Sequence, residues 1–246
     1  RRHVGPQPGD EPIRSQRQVE RGVVGVPARV EVGRQILVGV TIAARPDHPD
    51  LLAAQALAQR LLVLLQATQA LLLLGGSATN DAGAGMLQAL GARLLDQHDQ
   101  PLPPGGAALQ QLATLDLTTL DPRLASLDVT AAVDVDNPLL GERGASAVFG
   151  PQKGASPDDV ATLDRALGHF ATLAVEALGR DDRDMPGAGA AGGMGFAASS
   201  FLNARLSPGI DMIMQQAQVS SLLAKADLVI TGEGRYDGQT GTGKVA

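Results

Sequence analysis

The sequence predicts an α/β protein. Three observations carry that reading. Short apolar runs with strand character (residues 70–74, 127–135 and 227–231) are each followed by glycine or acidic residues, and stretches of helical spacing separate them. One helix is bounded by its own chemistry: Ser156 and Pro157 supply a hydroxyl N-cap and a proline at the first helical position, and Gly179 supplies a stop. Hydrophobic residues make up 44% of the 246, enough for one large core or two small ones.

Taken in chain order, the first fifty residues stand apart. They hold eight Arg against six acidic residues, and residues 1–74 contain no aromatic residue, Met, Lys or Asn. Only residues 21–41 have strand-like runs, and Pro27 interrupts them. No apolar stretch follows the charged start, which excludes a secretory signal. Asp10, Glu11 and Glu20 argue against a mitochondrial leader. The segment reads as a disordered extension or as sequence from outside the native coding frame. Residues 51–74 are apolar, but Gln55, Gln59, Arg60, Gln66 and Gln69 interrupt them, so a helix running into a short strand is expected rather than a membrane span.

Beyond Gly75 and Gly76, Met86, Leu87, Leu90, Leu94 and Leu95 follow as one helical stripe, and residues 96–106 read as a loop. A strand over 127–135 places Asp134 and Asp136 on one face. The capped helix runs from Pro157 to about Leu178, with Val160, Leu163, Leu167, Phe170 and Ala174 on its apolar side. Residues 180–186 form a charged loop, a candidate domain junction. Helices over 189–202 and 210–226 and a buried strand over 227–231 complete the pattern.

The chemistry gathers where strands end. Gly75, Gly76, Ser77, Thr79, Asn80 and Asp81 form a glycine turn with polar groups before a helix, suited to an anion. Lys153, one of three lysines, sits between Gly150 and Gly154 and can reach a phosphate or carboxylate. Gly187, Gly189, Gly192 and Gly193 form a second glycine turn, expected to cradle an anion with its backbone N–H groups as the first does. Its G-x-G-x-x-G spacing lacks the preceding strand that a nicotinamide site needs, so an oxidoreductase is a remote alternative. Glu233 and Asp237 suit Mg²⁺ binding or general-base work. Residues 238–244 imitate a P-loop, but Val245 stands where Ser or Thr must hold the metal. With no Cys, thiolate nucleophiles and Cys-type zinc sites are excluded, and a net charge of −6 argues against nucleic acid as a partner.

The segments GGSATND, DVDNPL, GASAVFGPQKGAS, PGAGAAGGMG and LVITGEGRYD occur in one order. Together they resemble the bacterial glycerate kinases from about Gly75 onward. The resemblance implies two α/β domains around a cleft, one of them Rossmann-like, in a cytoplasmic enzyme. It implies transfer of the γ-phosphoryl group of ATP, with Mg²⁺, to a hydroxyl of D-glycerate, the 2-hydroxyl in first place. Lys153 would contact a phosphate or the glycerate carboxylate. Asp81, Glu233 and Asp237 would share the metal and base roles, in a division left open. The Asp-Ser-Phe-Lys start and the Ala-Asp-Gly-Gly-Glu-Gly-Thr loop of the family are missing from residues 1–74, Ala82 stands where the family has Gly, and the family continues past Ala246. The expectation is an incomplete member with one or both domains cut short. Its alternative is a catalytically inactive fragment that keeps part of the ligand cleft.

Overall fold

A computed structural model describes residues 31–32, 35–38 and 68–229. Among these lie seven strands: β1 (Glu31–Val32), β2 (Gln35–Val38), β3 (Gln69–Leu74), β4 (Arg93–Leu95), β5 (Thr114–Asp116), β6 (Asp128–Val133) and β7 (Arg205–Pro208). The α-helices are α1 (Ala84–Ala89), α2 (Ala145–Phe149), α3 (Pro157–Leu178), α4 (Ala190–Leu202), α5 (Gly209–Gln216) and α6 (Val219–Leu223). The main sheet has the order β1-β2-β3-β6-β7. It is parallel from β2 to β7, and β1 joins antiparallel at the edge. The α/β class is thus as expected, and the strand-like run at 21–41 supplies β1 and β2. Strands β4 and β5 form a separate antiparallel pair.

β3 buries Ala70, Leu72 and Leu74 by simple alternation, while β6 buries four of its six residues, as a strand between two neighbours should. β6 stops at Val133, short of the expected 135. Its partner there is Pro208, which has no N–H with which to continue the ladder. Asp134 and Asp136 therefore lie beyond the strand rather than on one of its faces, and exposed Asp136 pairs with exposed Arg143 at 3.2 Å.

α3 has the boundaries its chemistry predicts. Ser156 Oγ accepts from Asp159 N–H, the Asp159 carboxylate accepts from Ser156 N–H, and Gly179 closes the helix in the left-handed conformation. Its buried face includes Leu167 and Phe170, each worth about 1.5–3 kcal/mol of burial. Phe170 meets Phe196 of α4 edge-on at 6.3 Å and stacks on Phe201 at 6.0 Å. The charged loop 180–186 joins these two helices of one core: Leu139 N–H donates to the Arg183 carbonyl (2.9 Å) and Ser200 Oγ to Asp182 (3.0 Å).

Other expected elements form differently. Leu94 and Leu95 belong to β4, not to the helical stripe. The chain turns at Gly91 (φ 107), where a Cβ would strike the Thr119 carbonyl, and both leucines are buried from a strand, Leu94 in the same core. α4 carries three left-handed residues, Ala191, Gly192 and Gly193, because its first turn lies against residues 79–82. The helix expected over 210–226 is split by left-handed Gln218 into α5 and α6. Residues 227–229 form no buried strand: Leu228 and Val229 are exposed, and residues 230–231 lie outside the described residues. The helix expected before β3 lies outside them too, from 51 to 67. Among the described residues no helix is long and apolar enough to cross a membrane.

Candidate functional site

The register sets Leu74, Val133 and Pro208 side by side at the carboxyl ends of β3, β6 and β7. Their successors, Gly75, Asp134 and Gly209, open two loops and helix α5 along one sheet edge. A Cβ on Gly209 would fall 2.9 Å from Asp134 Oδ1, so the second loop lies against the start of α5. This edge is where open α/β sheets place their ligands.

The first loop is open at its start. Among the described residues nothing beyond its chain neighbours lies within 4 Å of a Cβ built on exposed Gly75, and Gly76 is left-handed at φ 61. Ser77, Thr79, Asn80 and Asp81 then become half-buried. Lys153 reaches this loop from the turn after α2: its ammonium donates to Ser77 Oγ (3.2 Å) and to the Thr79 carbonyl (2.5 Å). Asn80 Nδ2 donates to Ser146 Oγ (2.9 Å), whose side chain is wholly buried in α2. Two segments far apart in sequence, 75–85 and 144–156, are thereby one structural unit.

Burial pushes Lys153 from its ordinary 10.5 down to about 8, against the opposing pull of the Asp81 carboxylate. The ammonium is still mostly protonated at pH 7. Both Asp81 oxygens accept backbone N–H groups, from Gly83 (3.0 Å) and Gly85 (3.1 Å), so this carboxylate also holds the start of α1. Ala82, which follows it, is left-handed at φ 51. A glycine would take that conformation without strain.

The second glycine turn backs the first. Gly187, Gly189, Gly192 and Gly193 are all buried. A Cβ on Gly192 would strike the Thr79 carbonyl, and one on Gly193 would come within 2.7 Å of Ala82 Cα. The N–H groups of Gly189 and Gly193 donate to the carbonyls of Asn137 (2.9 Å) and Gly189 (3.3 Å), and Ala82 N–H donates to the Gly192 carbonyl (3.0 Å). The G-x-G-x-x-G spacing here follows the 180–186 loop, not a strand.

Glu233 and Asp237 lie outside the described residues. Among the described residues no three His, Asp or Glu side chains come together to hold a metal. His169 lies on the solvent side of α3, where its Nε2 is 2.7 Å from the Leu112 carbonyl, away from the site. Two residues escaped sequence reasoning. Ser146 sits inside a recognised motif but has no chemistry of its own to flag it. Gly106, packed against the Asn80 carbonyl, ends a loop that gives no sign of reaching the site.

Sheet, edge loops and half-buried lysine define an α/β protein of the open-sheet type with its candidate site at the carboxyl edge. Comparison with known proteins sharpens that class. A model of the glycerate kinase family matches residues 56–246. The chain is 54% identical over 171 residues to a glycerate kinase of Bacillus subtilis (strain 168), covering 70% of this chain and 45% of that one. It is 49% identical over 179 residues to the glycerate 2-kinase of Escherichia coli (strain K12), covering 73% and 47%. A crystal structure described as that of a candidate glycerate kinase 2 from Salmonella typhimurium LT2 aligns with TM-score 0.70 at 42% identity, over 83% of this chain and 57% of that one. The chain belongs to the glycerate kinase family, as its ordered motifs imply. It spans about half the length of the curated relatives it matches.

Proposed function

We propose that this chain carries part of the site of a cytoplasmic kinase that moves the γ-phosphoryl group of ATP to a hydroxyl of D-glycerate. The observation that supports this most directly is Lys153, a half-buried cation fixed on the loop that leaves β3. Phosphoryl transfer asks a protein for positioning and charge neutralisation more than for covalent chemistry. A fixed ammonium beside an open glycine turn offers both to a phosphate or a carboxylate. In this reading Gly75 and Gly76 let an anion approach the backbone, Lys153 meets its charge, and Asn80 and Ser146 hold the loop in shape. Asp81 keeps α1 in place and sets the local field at Lys153. Glu233 and Asp237 are the proposed holders of Mg²⁺ and of the hydroxyl proton. Mg²⁺, when bound, would neutralise charge on the transferred group.

The test is ADP release from Mg-ATP, with and without D-glycerate. Glycerate-dependent release is expected, and the product should be consumed directly by enolase if the 2-hydroxyl is the acceptor. Absence of both glycerate-dependent release and any ligand-induced rise in melting temperature would remove the reading for this chain. A rise in melting temperature with ligand but no ADP would move it to binding without turnover.

A further inference from the structure

We propose that Gly106 is a positioning residue of this site: by carrying no side chain, it lets the Asn80 carbonyl settle against it and so fixes where Lys153 meets the loop. The inference rests on the kinase reading above for what the site does, but not for its geometry.

Gly106 begins the 3₁₀ turn Gly106–Gln111, which follows β4 and its loop. Its backbone is not left-handed, so any residue could adopt its dihedral angles. Glycine is required there by space alone. A Cβ at 106 would fall inside the 3.0 Å that real Cβ atoms respect, against the Asn80 carbonyl, and 2.9 Å from Leu163 Cδ2. The Leu163 methyl ends a flexible side chain and can move aside. The carbonyl cannot move without its neighbours. On the preceding peptide, the Thr79 carbonyl takes the Lys153 ammonium, and the Asn80 side chain takes Ser146. On another side the Gly192 backbone already lies close, since a Cβ built on it would fall 2.7 Å from Asn80 Cα. A methyl group at 106 must therefore disturb the Lys153 contact.

Gly105 next door supplies the control. It is left-handed at φ 108, yet among the described residues nothing beyond its chain neighbours lies within 4 Å of its Cβ position. Gly105→Ala strains the backbone without touching the loop.

Lys153 can be followed directly, since the chain has only three lysines. With ¹³Cε-labelled lysine, Lys225 and Lys244 serve as internal references, and Lys153→Arg identifies the Lys153 signal. In the wild type that signal should titrate near the value of about 8 that burial imposes. Gly106→Ala should raise it by about one unit or more, as the ammonium is returned to water while Asp81 still faces it. Gly105→Ala should lower the melting temperature and leave the titration in place. An unchanged Lys153 titration in folded Gly106→Ala would overturn the proposal, and so would a wild-type Lys153 that titrates at its ordinary value. If Gly106→Ala does not fold, Leu163→Ala combined with Gly106→Ala removes the second obstacle and is read the same way. The titration needs no turnover, so a failure of the kinase reading shows up separately, as absent ADP release with the titration result intact.

Discussion

The two glycine turns of this molecule look alike in sequence and do opposite things in space. At Gly75 the chain leaves β3 exposed, and among the described residues nothing beyond its own chain neighbours lies within 4 Å of where a side chain would begin. At Gly187, Gly189, Gly192 and Gly193 every glycine is buried, and their missing side chains make room for other stretches of backbone. The first turn keeps its surface available to a ligand. The second uses close approach to hold the first in place, through Gly192 on Thr79 and Gly193 on Ala82. Glycine spacing alone does not distinguish a cradle from a wall. Where the backbone N–H groups go decides it.

The contrast makes unequal predictions. Gly192→Ala combines a left-handed φ of 72 with a strike on the Thr79 carbonyl, and should cost about 3 kcal/mol or more. Urea unfolding measures this, and wild-type stability in the variant would erase the distinction between the turns. Lys153→Met should leave the fold intact while kcat/KM falls about 100-fold, the usual loss when one fixed electrostatic donor is removed. The same variant has a pH signature. Folded Lys153 loses its proton near 8 and unfolded Lys153 near 10.5, so between those values the unfolded state binds more protons. The wild type should gain stability relative to Lys153→Met as pH rises through that window, and the difference should be flat below it. A difference that stays flat through the window would mean that Lys153 is not desolvated. Gly75→Ala should be the mildest, changing stability by less than about 0.5 kcal/mol. Its effect should fall on the ligand, as a loss of about fivefold in affinity for an anion, roughly 1 kcal/mol by calorimetry. Equal losses of stability at Gly75 and Gly192 would show that the first turn is as tightly packed as the second.

What the sequence revealed of the fold follows how local each cause is. α3 was legible to the residue because Ser156, Pro157, Asp159 and Gly179 act on their immediate neighbours. The stripe through Leu94 and Leu95 misled because a helix and a strand can bury apolar residues in one continuous spacing, and the break at Gly91 depends on distant Thr119. The left-handed run in α4 is likewise imposed from outside, by residues 79–82. β6 ends where Pro208 faces it, a fact of register invisible in the strand itself. For the site, sequence singled out three segments that the fold brings together: the Gly75 loop, the Lys153 turn and the second glycine turn. It missed that Lys153 binds the first loop rather than forming a loop of its own, and that Ser146 and Gly106 brace that loop, because those are contacts between segments.

The pairing of β3 with β6 and of β6 with β7 also constrains how the chain assembles. Gln69 and Asp128, bonded across one pair, are 59 positions apart, and Arg205 and Thr130, bonded across the other, are 75 apart. Doubling such a loop adds only about 0.6 kcal/mol of closure entropy, but pairings this distant are slow to find. α3, capped by its own neighbours, needs no distant partner for its ends. During synthesis β3 emerges long before β6, its later neighbour in the sheet, so its apolar residues must wait, unpaired on that side, until β6 has left the ribosome.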